Sequence, residues 1–189
     1  MDAPSVSLLE QLRGPSRAAA WVRFVNLYTP LLREWAERRG FQAADTADLV
    51  QNVFVKLMYE VPRYKPTAGR SFRAWLAQVL TSAGHDYRKR KAARALSGSV
   101  GLAEVASPDN NPAEELEEAD YKQKLLRRGL DVVRADFNDQ TWAAFSGVMI
   151  DERPAEAVAS GLGISESAVY LARHRVLTRL RQELEGFLD

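Results

Sequence analysis

The stretch SFRAWLAQVLTSAGHDYRKRKAAR, residues 71–94, joins an amphipathic helix to a dense basic cluster. Apolar side chains recur at three- and four-residue spacing in its first half, which predicts a helix with one buried face. The inward positions are Phe72, Trp75, Leu76, Val79, Leu80 and Ala83. Ser71 is suited to cap this helix. Five positive charges then follow within residues 88–94, so a cationic helix end is predicted beside a packed core.

Two further amphipathic helices are predicted upstream. Pro30 is expected to kink the first, whose apolar stripe is Trp21, Phe24, Tyr28, Leu31 and Trp35. The second lies in DTADLVQNVFVKL, residues 45–57, where Asp45 and Asp48 resemble a capping box ahead of an apolar stripe. Prolines and a glycine within residues 59–71 indicate a loop. Because β signals are nearly absent, the predicted fold class is all-α.

The segment after the basic cluster differs in composition from what precedes it. Residues 95–114 contain turn formers and no aromatic side chain, which predicts an extended linker. No Lys or Arg occurs between Arg94 and Lys122, whereas seven acidic residues do. The predicted organisation is two small helical domains joined by a flexible acidic linker: an N-terminal extension (1–16), a helical bundle (17–94), the linker (95–114) and a helix-turn-helix domain (115–189).

The C-terminal part has the layout of a helix-turn-helix. In residues 152–184, Ala159 is small where two helices would cross, Gly163 can supply the positive φ of the turn, and Ser165 can cap the second helix. In the major groove, the N-terminal end of such a helix reaches base edges. The side chains predicted to be exposed there are Ser167, Ala168, Tyr170, Leu171, His174 and Arg175, with Arg173, Arg179 and Arg181 available for phosphates or the helix flank. The alternative is an ordinary helical hairpin with a solvated basic face.

The composition excludes several classes of protein. The 189 residues include no cysteine and two histidines, so disulfides, thiolate metal sites and His-rich metal sites are not expected. No apolar run approaches the roughly 18 residues of a membrane span, and the N-terminus lacks a signal-peptide pattern. We therefore predict a soluble, cytoplasmic protein with no cofactor, no metal site and no membrane insertion.

The basic cluster allows two interpretations. A run of Lys and Arg is often a solvated helix face. Duplex phosphates, however, attract cations, and separated strands need flat side chains on which unstacked bases can rest. Residues 71–94 offer both, which favours a surface that holds an opened DNA strand. Core packing is the alternative role for Phe72 and Trp75.

The order of these segments resembles the extracytoplasmic-function (ECF) group of bacterial RNA polymerase sigma factors, which consist of regions 2 and 4. The resemblance extends from about Trp21 to Leu188 and includes the helix of residues 45–57, the stretch 71–91, the acidic linker and the helix-turn-helix. It implies a non-catalytic factor that directs core polymerase to promoters and melts the minus-10 element to start transcription. The implied partners are promoter DNA and the beta-prime clamp helices and beta flap of core polymerase; an anti-sigma factor is left open.

The resemblance also implies three sets of binding residues. Core polymerase would contact Asp45, Asp48, Leu49, Gln51, Asn52, Phe54 and Lys56. The minus-10 element would contact Tyr64, Lys65, Phe72, Arg73, Trp75, Gln78, Ser82, His85, Arg88, Lys89, Arg90 and Lys91. The minus-35 element would contact Ser165, Ser167, Ala168, Tyr170, Leu171, Arg173, His174 and Arg175. Because Ser82, Tyr170 and Arg173 depart from residues common in the family, the base preference does not transfer.

Two other functions are compatible with parts of the sequence. An operator-binding regulator needs the helix-turn-helix and one DNA surface, whereas this chain has two candidate surfaces. A metal-dependent phosphohydrolase could use the dipeptide His85-Asp86, but the second histidine, His174, lies in the predicted recognition helix. The sigma factor is the interpretation that accounts for both halves of the chain.

Overall fold

The computed structural model describes residues 6–14, 17–65, 71–97 and 118–188. These ranges form eight α-helices: α1 (Leu8–Gln11), α2 (Arg17–Arg38), α3 (Ala43–Glu60), α4 (Phe72–Ser97), α5 (Glu118–Val133), α6 (Asp139–Met149), α7 (Ala155–Leu162) and α8 (Glu166–Leu184). All regular structure in the described part of the chain is helical, which confirms the all-α class. None of these described helices is both long and apolar enough to cross a membrane. Residues 98–114 of the predicted linker and 66–70 of the predicted loop lie outside the described residues.

Helix α2 buries the aromatic stripe that the sequence predicts, with Trp21 only partly buried. The helix continues through Pro30, which has no N–H to donate to the carbonyl of Asn26 one turn earlier. Arg128 of α5 donates a hydrogen bond to that Asn26 oxygen at 3.3 Å. The proline therefore leaves a backbone acceptor that a helix from the other half of the chain uses.

Helices α3 and α4 pack against each other and, through α3, against α2. Helix α3 begins at Ala43 with Gln42 as its N-cap, so the predicted cap at Asp45 is wrong. Asp45 instead lies in the first helical turn, where a negative charge is favoured by the helix dipole. Ser71 does cap α4, because its Oγ accepts a hydrogen bond from the Ala74 N–H at 3.2 Å.

The helix-turn-helix has a small core of its own, formed between α6, α7 and the first half of α8. Gly163 ends α7 with φ 66°, as the turn requires. Asn138 caps α6 by accepting from the Thr141 N–H at 2.8 Å, and Ser165 caps α8 in the same manner. The buried residues of this core are Ala144, Val158, Ala159, Val169 and Ala172.

The larger core contains residues from both halves of the chain. Helix α5 packs on α2, and the last turns of α8 pack on α5. Phe187, just after α8, lies fully buried among aromatic rings of α2 and α4. The division into domains 17–94 and 115–189 stays a prediction, but the two parts are in contact in this structure.

Candidate functional site

The basic cluster at the end of α4 divides into cations bound within the protein and cations that face solvent. The Arg88 guanidinium lies 4.8 Å from the centre of the Phe41 ring and donates a hydrogen bond to the Arg39 carbonyl at 3.3 Å. Lys89 and Arg90 are exposed. Arg88 therefore stabilises the turn between α2 and α3, and Lys89 and Arg90 offer the accessible charge.

Lys91 is exposed but ion-paired with the carboxylate of Asp45, to which Tyr87 also donates a hydrogen bond at 3.0 Å. The hydrogen bond from Lys91 lowers the pKa of Asp45. Burial and the hydrogen bond to Asp45 raise the pKa of Tyr87 to about 12. Asp45, which the resemblance assigns to core polymerase, is thus joined to a residue assigned to the minus-10 element.

We expect Asp45→Asn to lower the pKa of Tyr87. Removing the carboxylate removes a negative charge that opposes ionisation of the phenol, so tyrosinate forms at lower pH. A pH titration followed by ultraviolet absorbance measures the shift in the Tyr87 pKa. The titration curve of the same protein carrying Tyr87→Phe is subtracted to isolate Tyr87, and circular dichroism at each pH checks that the helices remain folded. Asp48→Asn is the matched control and should shift Tyr87 less, because Asp48 acts on Tyr87 only through its charge. An unchanged Tyr87 midpoint in Asp45→Asn would contradict the geometry.

The aromatic residues at the start of α4 lie mainly in the core. Phe72 is 0% exposed and Tyr64 is 7% exposed, whereas Trp75 is partly buried. The Phe72 ring centre lies 5.2 Å from that of Tyr64 and 5.1 Å from that of Trp75. Core packing is therefore the role of Phe72 in this arrangement, and neither Phe72 nor Tyr64 offers a face to a DNA base here.

The polar residues predicted for the minus-10 surface are more accessible. Gln78, Ser82 and His85 are exposed along α4, and Lys65 is exposed before the undescribed residues 66–70. Arg73 is half-buried and lies 3.8 Å from the carboxylate of Glu118. The exposed cations and the polar residues of α4 thus form one candidate surface for nucleic acid, whose members are Gln78, Ser82, His85, Lys89 and Arg90.

Helix α3 presents a mixed outer face. Of the residues predicted for the polymerase interface, Asp48 and Gln51 are exposed, while Leu49 is 0% exposed in the core and Phe54 is partly buried. Asn52 donates a hydrogen bond to the Asp48 carbonyl at 2.7 Å. Three exposed apolar residues of α3 lie outside the predicted interface set, namely Val55, Met58 and Tyr59. Their signal was available, because they lie off the buried stripe at helical spacing.

An open groove runs between α3 and α4. Lys56 donates a hydrogen bond to Ser82 at 2.8 Å and lies 4.0 Å from the carboxylate of Asp86. The groove is also lined by Asn52, Val55, Ala83, Lys89 and Arg90. Lys56 and Ser82, assigned by the resemblance to different partners, are therefore neighbours.

The outer face of α8 is accessible. Tyr170 and Leu171 are adjacent on this face and are 52% and 48% exposed. Ala168 is half-buried, and the other predicted members are exposed: Ser165, Ser167, Arg173, His174 and Arg175. Of the three arginines predicted for phosphates or the helix flank, Arg179 forms ion pairs within the protein, because its guanidinium lies 2.9 Å from Asp136 and from Glu183.

Ser165→Ala is expected to lower the free energy of unfolding by about 1 kcal/mol. The Ser165 Oγ accepts a hydrogen bond from the Ala168 N–H at 3.2 Å, and alanine leaves that helix-terminal donor to solvent. Urea denaturation followed by circular dichroism measures the change. Ser167→Ala, two residues further along the same exposed turn, is the control and should change stability by less than about 0.5 kcal/mol. Equal effects of both changes would contradict a capping role.

Residues 24–94 match the family Sigma-70 region 2. The match supports an RNA polymerase sigma factor that acts in promoter recognition. No curated protein matches the chain.

The matched segment begins at Phe24 within α2 and ends at Arg94 within α4, so it includes α3 and the whole basic cluster. Sigma factors act in transcription initiation and not as enzymes. Asp45 is ion-paired with Lys91 and accepts a hydrogen bond from Tyr87, and the described residues contain no group of three or more potential metal ligands. The helix-turn-helix of α7 and α8 lies C-terminal to the matched segment.

Proposed function

We propose that this chain is a sigma factor of the ECF group, with region 2 in residues 17–94, a linker in 95–114 and region 4 in 115–189. The observation that carries the proposal is the match of residues 24–94 to Sigma-70 region 2, followed by a capped helix-turn-helix with an exposed outer face. The chain then has one surface for each of two promoter elements. It acts in the cytoplasm with core polymerase.

The outer face of α3 binds the beta-prime clamp helices. Asp48 and Gln51 supply polar contacts, and the exposed Val55 and Tyr59 extend the same helix face with apolar area. A helix with alternating polar and apolar exposed residues suits a partner helix. Leu49 supports this face from the core, because it is fully buried beneath it.

Helix α4 binds and opens the minus-10 element. Lys89 and Arg90 attract phosphates, and Gln78, Ser82 and His85 lie along the same helix to contact an opened strand. Unstacking a base costs a few kcal/mol, and stacking on aromatic side chains returns about 1–3 kcal/mol per base. Trp75, which is only partly buried, is the aromatic residue of this segment best placed for that contact.

Region 4 reads the minus-35 element in the major groove through the N-terminal half of α8. Tyr170, Leu171 and His174 are exposed there for base edges, with Arg173 and Arg175 for phosphates or guanines. The beta flap of core polymerase is a further partner of this region. An anti-sigma factor would regulate the chain by covering either surface.

In vitro transcription tests the proposal. Purified protein is mixed with bacterial core polymerase and a genomic fragment library, and the 5′ ends of the transcripts are sequenced. Specific starts that share two upstream elements are the expected result. If core polymerase gives no specific starts and the protein alone protects a palindromic site as a dimer, the operator-binding regulator replaces this proposal.

A further inference from the structure

The N-terminal helix α1 is part of the helical bundle, although it precedes the segment that matches Sigma-70 region 2. Its apolar residues Leu8, Leu9 and Leu12 are buried in the larger core. A capping box between Ser7 and Glu10 begins the helix and satisfies two backbone donors there. The chain that follows α1 is therefore held at a defined place on the bundle.

Arg13 follows α1 and contacts Tyr64, which lies 51 positions later in the chain. The Arg13 guanidinium donates a hydrogen bond to the Tyr64 carbonyl and lies 6.0 Å from the centre of the Tyr64 ring. Tyr64 is 7% exposed, whereas Arg13 is exposed. A guanidinium at about this distance is attracted to the face of an aromatic ring. One side chain of the N-terminal extension thus holds both the backbone and the ring of Tyr64.

The Tyr64 ring packs in turn on Trp75 of α4. The two ring centres lie 4.9 Å apart, with their planes inclined by 40°. Phe72 supports both rings from the core, because its own ring centre lies 5.2 Å from that of Tyr64 and 5.1 Å from that of Trp75. Side chains packed this closely cannot turn without displacing their neighbours. The position of Tyr64 therefore sets the orientation of Trp75.

The orientation of Trp75 matters for an opened DNA strand. Among the three rings, Trp75 is the one that is only partly buried. Stacking of a base on an aromatic side chain offsets a large part of the cost of unstacking that base from the duplex. Because the gain and the cost are of similar size, a small displacement of the ring changes how readily the strand opens. A residue that holds the ring in place can thus act on opening without touching DNA.

We propose that Arg13 is a positioning residue for the opening of the minus-10 element. Arg13 holds Tyr64, and Tyr64 holds the Trp75 ring in the orientation in which a base of the opened strand stacks on it. The N-terminal extension thereby takes part in promoter opening. The contacts from Arg13 to Trp75 stand on the structure alone, whereas their effect on opening rests on the proposed sigma factor function.

Fluorine NMR of the free, full-length chain tests the contacts. The chain has four tryptophans, and after labelling with 5-fluorotryptophan the Trp75 resonance is the one that Trp75→Phe removes. Arg13→Ala should shift this resonance, because the Tyr64 ring moves relative to Trp75. The resonance of Trp142, which packs on another aromatic ring in α6, should stay in place and show that the variant is folded. Arg17→Ala removes an exposed cation four positions later and is the matched control that should shift neither resonance.

The rate of promoter opening measures the consequence of these contacts. A fluorescent base analogue in the minus-10 element reports opening by the polymerase complex, and a series of polymerase concentrations separates initial binding from the opening step. Arg13→Ala should lower the rate constant of opening at least about fivefold and change initial binding less than about twofold, because only stacking in the opened state is weakened. The slope of log K against log salt for initial binding should stay unchanged, because Arg13 binds no phosphate.

A double variant tests whether Arg13 acts through Trp75. Arg13→Ala with Trp75→Ala should open the promoter no more slowly than Trp75→Ala alone, because the residue that Arg13 positions is then absent. Additive losses would contradict the positioning role. A salt slope lowered by about 1 in Arg13→Ala, with an unchanged opening rate, would make Arg13 a direct phosphate contact instead.

The two measurements distinguish failure of this proposal from failure of the proposed function. An unmoved Trp75 resonance in Arg13→Ala would overturn the positioning role whatever the polymerase does. A shifted resonance with wild-type opening by Arg13→Ala would also overturn it, while leaving the sigma factor function intact. If wild-type protein opens no promoter with core polymerase, the proposed function fails and the role in opening fails with it, but the shifted resonance still establishes the contacts.

Discussion

Glu183→Gln is expected to lower the free energy of unfolding by about 3 kcal/mol, one of the two largest effects of a substitution anticipated in this chain. The Glu183 carboxylate is 1% exposed and is ion-paired with Arg23 and Arg179. Removal of the carboxylate leaves the partly buried Arg23 charge without its partner, whereas Arg179 keeps Asp136 at 2.9 Å. Urea denaturation measures the change from the shift in midpoint at constant slope.

Two further variants decide how that loss arises. Glu185→Gln removes the same charge from an exposed position two residues later and should change stability by less than about 0.5 kcal/mol. Arg23→Met with Glu183→Leu replaces the pair by apolar groups of similar volume and should restore most of the loss. Equal effects of Glu183→Gln and Glu185→Gln would show that the buried pair contributes nothing.

The sequence predicted the local parts of this fold because their signals are local. The stripe of α2 is buried because 3.6-residue periodicity places its members on one face. Ser71 and Ser165 cap helices as their positions indicate. Gly163 adopts the left-handed conformation that the turn needs. Each of these features depends on residues within about four positions of one another.

The sequence did not reveal which cations are bound within the protein. Arg88 and Lys89 are adjacent and chemically alike, but only Arg88 reaches a ring, that of Phe41, 47 positions earlier in the chain. The sequence alone likewise gives no partner for Arg179. The 3-10 turn that follows α5 places Asp136 beside it. A long side chain takes its role from the surface it meets, and that surface forms only when distant elements pack.

The contact between the two halves was also beyond sequence reasoning. An acidic linker without aromatic residues indicates separated domains. The contact depends on Tyr28, Tyr121 and Phe187, which lie far apart in the chain and have no local signal in common. Hydrophobic periodicity predicts which face of a helix is buried, but it does not predict which other element covers that face.

The pair of exposed cations on α4 gives the second large effect. Lys89→Ala with Arg90→Ala should lower the salt dependence of promoter binding by the polymerase complex by about 2 in the slope of log K against log salt. Each cation that binds a phosphate releases counterions from the DNA. If the plots of log K against log salt for wild-type and variant protein meet near 1 M salt, losing both cations weakens binding by about 60-fold at about 0.1 M salt. Fluorescence titration of a promoter fragment at several salt concentrations measures both quantities.

The division of the basic cluster determines the controls. Arg33→Ala with Arg127→Ala removes two exposed cations from α2 and α5 and should leave the slope unchanged. Arg88→Ala should lower stability through the lost contact with Phe41 and change the slope by less than the exposed pair does. If Arg88→Ala flattened the slope as much as the exposed pair, Arg88 would leave Phe41 on binding DNA. An unchanged slope in the Lys89 and Arg90 variant would remove α4 from the promoter interface, because its exposed charge would then meet no phosphate.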